Sequence, residues 1–200
     1  MHPSIPFPIL RIPLAGGTPE TIVRLSRKGS VSCAQPPSNT CVLAEQSEDH
    51  KQMIVSILDP IEGRGPELAR FNFERELAAI GEPTCVISPD GNRLAMALSP
   101  ESSIEIRSLH GQLLRKIPSR SEGSLTWLNW SADQKGFFVT RTAHSARELL
   151  YLDFKGNATL LRKCNLNLGG GCEGIPSPDG RHLAITEIEQ SNNMWMMENF

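Results

Sequence analysis

Ser88-Pro89-Asp90-Gly91-Asn92-Arg93-Leu94-Ala95-Met96 returns as Ser177-Pro178-Asp179-Gly180-Arg181-His182-Leu183-Ala184-Ile185, with a degenerate copy at Ser131-Ala132-Asp133-Gln134-Lys135-Gly136-Phe137-Phe138-Val139. The spacing is 43 residues from Ser88 to Ser131 and 46 from Ser131 to Ser177. A weaker copy, Pro36-Pro37-Ser38-Asn39-Thr40-Cys41-Val42-Leu43-Ala44, begins 52 residues before Ser88. In the repeated tetrapeptide Pro fixes φ at the first central position of a tight turn, Asp caps the turn through its side chain, and Gly takes positive φ. It is a hairpin turn, so Ser88, Pro89, Asp90, Gly91, Asp133, Ser177, Pro178, Asp179 and Gly180 are read as structural turn residues.

Each copy is followed by an apolar strand (Leu94 to Leu98, Phe137 to Thr140, Leu183 to Thr186), a polar gap and an alternating segment (Ser103 to Leu109, Glu148 to Asp153, Met194 to Glu198). A short turn such as His110-Gly111 or Lys155-Gly156-Asn157 then usually leads to a last strand (Leu113 to Ile117, Thr159 to Arg162). The unit is four short antiparallel strands joined by tight turns. Repeats of roughly 40 to 50 residues with four strands each mark β-propeller blades.

The expected fold is all-β, a β-propeller or partial propeller of about four blades of four antiparallel strands. It forms a single domain over 1–200, with blades near 7–27 (half a blade), 30–73, 83–118, 125–163 and 172–200 (three strands). Pro66 to Ile80 could be drawn as an amphipathic helix through Leu68, Phe71 and Arg75, but the repeat frame makes Glu67 to Phe73 a fourth strand. Ile9 to Leu14, the turn Ala15-Gly16-Gly17-Thr18 and Glu20 to Leu25 read as third and fourth strands, so the chain opens in mid-blade. Propellers commonly close by completing one blade from both termini. Here Ile9 to Leu14 and Met194 to Glu198 would compete for one position. The expectation is a carboxy-terminal fragment of a larger propeller, whose open sheet edges favour self-association.

With Ser88-Pro89-Asp90-Gly91, Ser177-Pro178-Asp179-Gly180 and Trp130-Ser131-Ala132-Asp133, the chain from about Ile9 to Phe200 resembles the TolB-like or tricorn-like bacterial propellers, a family of WD-like repeats. More narrowly, Leu150-Tyr151-Leu152-Asp153-Phe154-Lys155-Gly156-Asn157-Ala158 and Ser191-Asn192-Asn193-Met194-Trp195-Met196-Met197-Glu198-Asn199-Phe200 are similar to the carboxy-terminal propellers of multidomain bacterial kinase or winged-helix signalling proteins. The resemblance implies a non-enzymatic scaffold or sensor that takes a protein partner or a small ligand, with no cofactor and no catalytic residue. The alternative it allows is an accessory propeller gating a serine peptidase of the tricorn or prolyl-oligopeptidase type. Such propellers occur in the bacterial cytoplasm or periplasm, and the resemblance does not choose between them.

The remaining features fit a binding module. Twenty basic and 22 acidic residues, interspersed to a net charge of -2, leave no electrostatic footprint for nucleic acid or anionic lipid. No apolar run approaches the roughly 18 to 20 residues of a membrane helix, so no membrane insertion is expected, and Met1-His2-Pro3-Ser4-Ile5-Pro6 lacks the marks of a signal peptide. Histidines 2, 50, 110, 144 and 182 show no metal-ligand spacing, and no G-x-S-x-G elbow occurs. Gly169 to Gly174 matches G-x-G-x-x-G, but Pro176 and Pro178 deny the helix a dinucleotide site needs, and the run reads as a flexible glycine connection into the next blade. Asp90, Asp133 and Asp179 sit in separate blades and read as turn caps rather than an acid and base pair. No catalytic, cofactor or metal residue is therefore expected.

Cys33 and Cys41 would face each other across a hairpin and form the candidate disulfide in an oxidising compartment, whereas Cys85, Cys164 and Cys172 read as small buried hydrophobes. Trp127 and Trp130 point to opposite faces of one strand, one into the core and the other partly exposed. Met194-Trp195-Met196-Met197 reads as a strand between sheets, and Ser47 to Lys51 as a hairpin tip.

Overall fold

Strands caught between two other sheets are buried on both faces and read as unbroken apolar runs, whereas strands with one wet face alternate. Val42-Leu43-Ala44 and Leu94-Ala95-Met96-Ala97 are unbroken runs, and every residue in them is buried. The computed structural model describes residues 7–25, 29–73, 84–98, 103–118, 123–143, 146–165 and 171–187, and each regular element among them is a strand.

The first sheet pairs β1 (Phe7–Arg11) with β2 (Glu20–Leu25). The second runs β3 (Gly29–Cys33), β4 (Cys41–Gln46), β5 (Gln52–Asp59), β6 (Gly63–Asn72). The third is β7 (Thr84–Ile87), β8 (Arg93–Leu98), β9 (Ser103–Ser108), β10 (Leu113–Pro118), and the fourth β11 (Ser124–Trp130), β12 (Gly136–Ala143), β13 (Ala146–Asp153), β14 (Ala158–Asn165). The fifth pairs β15 (Cys172–Pro176) with β16 (Leu183–Glu187). Every pairing is antiparallel between chain neighbours, so each sheet is a meander, and the succession of meanders is a partial β-propeller.

The core lies in the seams between sheets, because alternate residues of one strand serve opposite neighbours. Val42 and Ala44 face the third sheet and meet Cys85, Ile87, Leu94 and Met96. Cys41 and Leu43 face the first sheet and meet Val23 and Leu25. Ala95, Ala97, Ile104, Ile106 and Ile117 close on Leu125, Leu128, Trp130 and Phe137 of the fourth sheet. Leu149 turns the other way, to Cys164 and Cys172. At roughly 1.5 to 3 kcal/mol for each large side chain fully buried, these seams bind sheet to sheet, while the hydrogen-bond ladders only hold each sheet together.

The blade frame places the two-stranded sheets. Gly63, opening β6, lies against Ile22 and Val23 of β2 just as Gly111 of the β9–β10 turn lies against Ala69 and Phe71 of β6. β2 thus holds a fourth-strand place. β15 and β16 flank the Ser177-Pro178-Asp179-Gly180 turn, which makes them first and second strands.

Three details depart from the sequence reading. β1 ends at Arg11 rather than Leu14, because Pro13 has no N–H to donate and its carbonyl instead accepts from Gly16 N at 3.0 Å to close the turn. Gly174 lies within β15, paired with Ile185, rather than in a glycine connection. Cys164 and Cys172, read as free, are joined by a disulfide with their Cα atoms 5.9 Å apart. The physical reason is that their separation of 8 residues is a crossing from the last strand of one sheet to the first strand of the next, which hairpin logic does not detect. Met194 to Glu198, with Trp195 among them, and Glu74 to Ile80 lie outside the described residues.

Candidate functional site

A propeller's first strands stand side by side around its axis, so whatever they expose on their free side is gathered into one place. β3, β7, β11 and β15 do this here, leaving a groove of about 510 Å³. Ser30, Ser32, Thr84, Thr126, Asn129 and Gln46 give it neutral polar walls, and Val31 and Ile175 add exposed apolar surface. Ser32 Oγ accepts from Ile87 N at 3.1 Å and so ties β3 to β7 along the groove.

The two tryptophans of β11 divide between core and groove. Trp130 is 1% exposed, packs on Phe137 with ring centroids 4.6 Å apart, and donates Nε1–H to the Val86 carbonyl at 3.3 Å. The Arg93 guanidinium lies 5.1 Å from its ring centroid. Trp127 is half-buried and lines the groove. Strand parity separates the pair, and the neighbouring first strands determine which indole meets open space.

The groove holds two titratable side chains and one disulfide. Burial holds the Glu45 carboxyl above the usual carboxylate range, and Arg64, paired with it at 2.7 Å, pulls the other way. Burial pushes the Cys85 thiol up to about 12, so at neutral pH it is a thiol and no nucleophile. Cys33 is exposed on the groove wall and bridged to Cys41, with Cα atoms 4.0 Å apart.

A second groove, about 530 Å³, lies between the turns of the fourth and fifth sheets and brings Asp133, Pro178, Asp179, Gly180 and His182 together with Phe138 and Tyr151. Its carboxylates are engaged within their own turns. Asp133 accepts from Ser131 Oγ at 2.7 Å and Lys135 N at 3.1 Å, and Asp179 from Ser177 Oγ at 2.5 Å and Arg181 N at 3.0 Å. Asp90 in the third sheet has the same partners, Ser88 Oγ at 2.5 Å and Asn92 N at 3.2 Å. The degenerate copy keeps this geometry by holding Gln134 at φ 58, where the other two copies have glycine. Among the described residues no group of three or more His, Cys, Asp or Glu could hold a metal ion.

The serine hydroxyl, and then the turn amide, hold the Asp133 and Asp179 carboxyls below the usual range. A folded pKa below the unfolded one stabilises the fold above roughly pH 4, and that contribution disappears as pH falls through the depressed value. Replacing both by Asn should therefore lower the neutral plateau of the urea midpoint slightly and flatten its acid limb below about pH 4. An acid limb as steep as that of the parent chain would show that these turns do not carry it.

No protein-family model matches the chain, and no curated protein matches it in sequence. Among solved structures it is similar to TolB from Acinetobacter baumannii, with a TM-score of 0.61 and 18% identity over 92% of this chain and 44% of that one. It is also similar to a candidate TolB from Agrobacterium tumefaciens (TM-score 0.54, 18% identity, 85% of this chain and 57% of that one). A candidate 6-phosphogluconolactonase from Bacteroides uniformis gives a TM-score of 0.57 at 15% identity, over 92% of this chain and 58% of that one. The chain spans 44% to 58% of the length of these three proteins. At such identities the likeness is one of fold, that of a β-propeller.

Proposed function

We propose that this chain is a non-enzymatic β-propeller module for protein interaction or ligand sensing, that the groove between its first strands is the docking face, and that it belongs to a larger bacterial signalling protein. The observation that carries the reading is the convergence of four successive first strands on one half-buried indole, Trp127, among neutral Ser, Thr, Asn and Gln side chains. A volume of about 510 Å³ lies within the range of ligand pockets. The described turn carboxylates are bonded within their turns and the Cys85 thiol is protonated, which favours binding over catalysis. That the chain spans about half of the propeller proteins it resembles supports membership of a larger assembly.

The test selects phage-displayed peptides on the purified chain and compares their affinity for the Trp127→Ala variant. A partly exposed aromatic anchor is the kind of residue that dominates such interfaces, so affinity should fall about tenfold or more with the urea midpoint nearly unchanged. Binders indifferent to Trp127→Ala would remove the groove from the proposal. Turnover of 6-phosphogluconolactone or of a peptide substrate, abolished by a groove substitution, would replace it with an enzyme.

A further inference from the structure

The two disulfides share a separation of 8 residues but differ in burial and in what they join. Cys164 and Cys172 are 4% and 0% exposed and are sealed in the seam with Leu149. Their bond ties the fourth sheet covalently to the fifth, beside Thr140, whose hydroxyl donates to the Cys172 carbonyl at 2.5 Å. Cys33, by contrast, is exposed at the edge of the groove, on the face of its sheet that Cys41 turns to the first sheet, and only its partner Cys41 is buried, at 7%.

The Cys33–Cys41 bond is also redundant for the hairpin it crosses. β3 and β4 are paired from Gly29↔Glu45 to Cys33↔Cys41, and the ladder continues past the bridge through Ala34 N to the Thr40 carbonyl at 2.8 Å. Gln35 N donates to the Pro89 carbonyl at 2.9 Å and Ile87 N to Ser32 Oγ at 3.1 Å, so the same strand is held to the third sheet on both sides of the bond. A bond that the ladder and the contacts to the third sheet duplicate, with one of its cysteines exposed, has the properties of an exchangeable disulfide rather than a structural one.

We propose that Cys33–Cys41 is a thiol-exchange site on the groove wall, and that a low-molecular-weight thiol of the glutathione class is its co-reactant. The incoming thiolate attacks Sγ of the exposed Cys33. A new S–S bond forms as the Cys33–Cys41 bond breaks, and Cys41 leaves with the electron pair and takes a proton from water. Cys33 then carries the small thiol as a mixed disulfide at the groove's edge. A second small thiol attacks that adduct's own sulfur, leaving as the oxidised small-molecule disulfide and freeing Cys33. In balance, two small thiols become one disulfide while one protein disulfide becomes two thiols. Cys41, held opposite Cys33 with Val23, Leu25, Leu43 and Leu58 around it, is the resolving group that expels the adduct when exchange runs backwards.

The test equilibrates the 200-residue chain in glutathione buffers of graded ratio, alkylates free thiols and maps them by mass spectrometry, with far-UV circular dichroism in parallel. Cys33 and Cys41 should label together in buffers at least about tenfold less reducing than those that open Cys164 and Cys172, with the strand signal unchanged. In Cys41→Ser the resolving thiol is gone, and Cys33 should retain one glutathione after exposure to oxidised glutathione. The proposal is overturned if both bonds open together, if Cys164 and Cys172 open first, or if opening Cys33–Cys41 melts the strand signal. Should Cys41→Ser not fold, labelling of the parent chain decides alone. No docked ligand enters this experiment, so its failure leaves the groove reading standing and the reverse also holds.

Discussion

Trp130→Ala should lower the stability of the chain by about 3 to 5 kcal/mol and its unfolding midpoint by on the order of 10 °C for a domain of this size. The indole is the largest side chain sealed between the third and fourth sheets, where it meets Phe137 and, edge-on, Phe154 at 6.3 Å. Its loss removes more than area. The Val86 carbonyl loses the Nε1–H that reaches it from the next sheet, and Arg93, which stacks on the ring and bonds Gln134 in the same sheet as Trp130, loses its platform. Trp130→Phe separates these effects in part, because it keeps a six-membered aromatic ring in the seam and drops the donor with the rest of the indole, and should cost about 1 kcal/mol for the hydrogen bond plus the packing lost with those atoms. Urea denaturation of the three proteins checks the order. A loss below 1 kcal/mol in Trp130→Ala would mean that this seam does not hold the third and fourth sheets together.

The parts of this fold that are legible in the sequence are those whose cause is local. A Ser-Pro-Asp-Gly turn carries its geometry in four adjacent residues, and its recurrence at 88 and 177, with Ser131 between, sets the blade frame before any contact is known. Burial on both faces is legible too, since Leu94-Ala95-Met96-Ala97 offers no polar side to water. The groove is a different case, because its walls come from strands a full repeat apart and each residue alone is an ordinary strand residue. A signal was nonetheless present. The positions two and four before each turn serine, Val86 and Thr84, Asn129 and Trp127, and Ile175, fall on the groove, and stacking the repeats on their turns would have gathered most of them. No equivalent signal marks Cys164 and Cys172. Their meeting depends on how one sheet follows the next, a property of the seam and not of either strand.

Gly91→Ala should cost about 3 kcal/mol and Gly180→Ala only about 1 kcal/mol, although the two glycines occupy the same place in the same turn. Both are left-handed, at φ 76 and φ 70, so the penalty for placing a side chain at positive φ is common to them. What differs is the neighbour. A Cβ on Gly180 would meet only the Ala132 Cβ at 3.4 Å, an ordinary contact. A Cβ on Gly91 would overlap Ser38 Oγ and come within 3.2 Å of Ser38 Cβ, and that hydroxyl is engaged with Thr40 Oγ1 at 3.2 Å. The turn at 88–91 thus reverses its own hairpin and also seats against the preceding sheet, where Gln35 N reaches the Pro89 carbonyl at 2.9 Å. Ser38→Gly removes the obstruction and leaves the backbone penalty. In that background Gly91→Ala should fall to about the cost of Gly180→Ala, a coupling of about 2 kcal/mol between residues of neighbouring sheets. Equal losses at the two glycines in the parent chain, or additive losses in the double variant, would show that the turn does not bear on Ser38 and that the sheets are seated by their apolar seams alone.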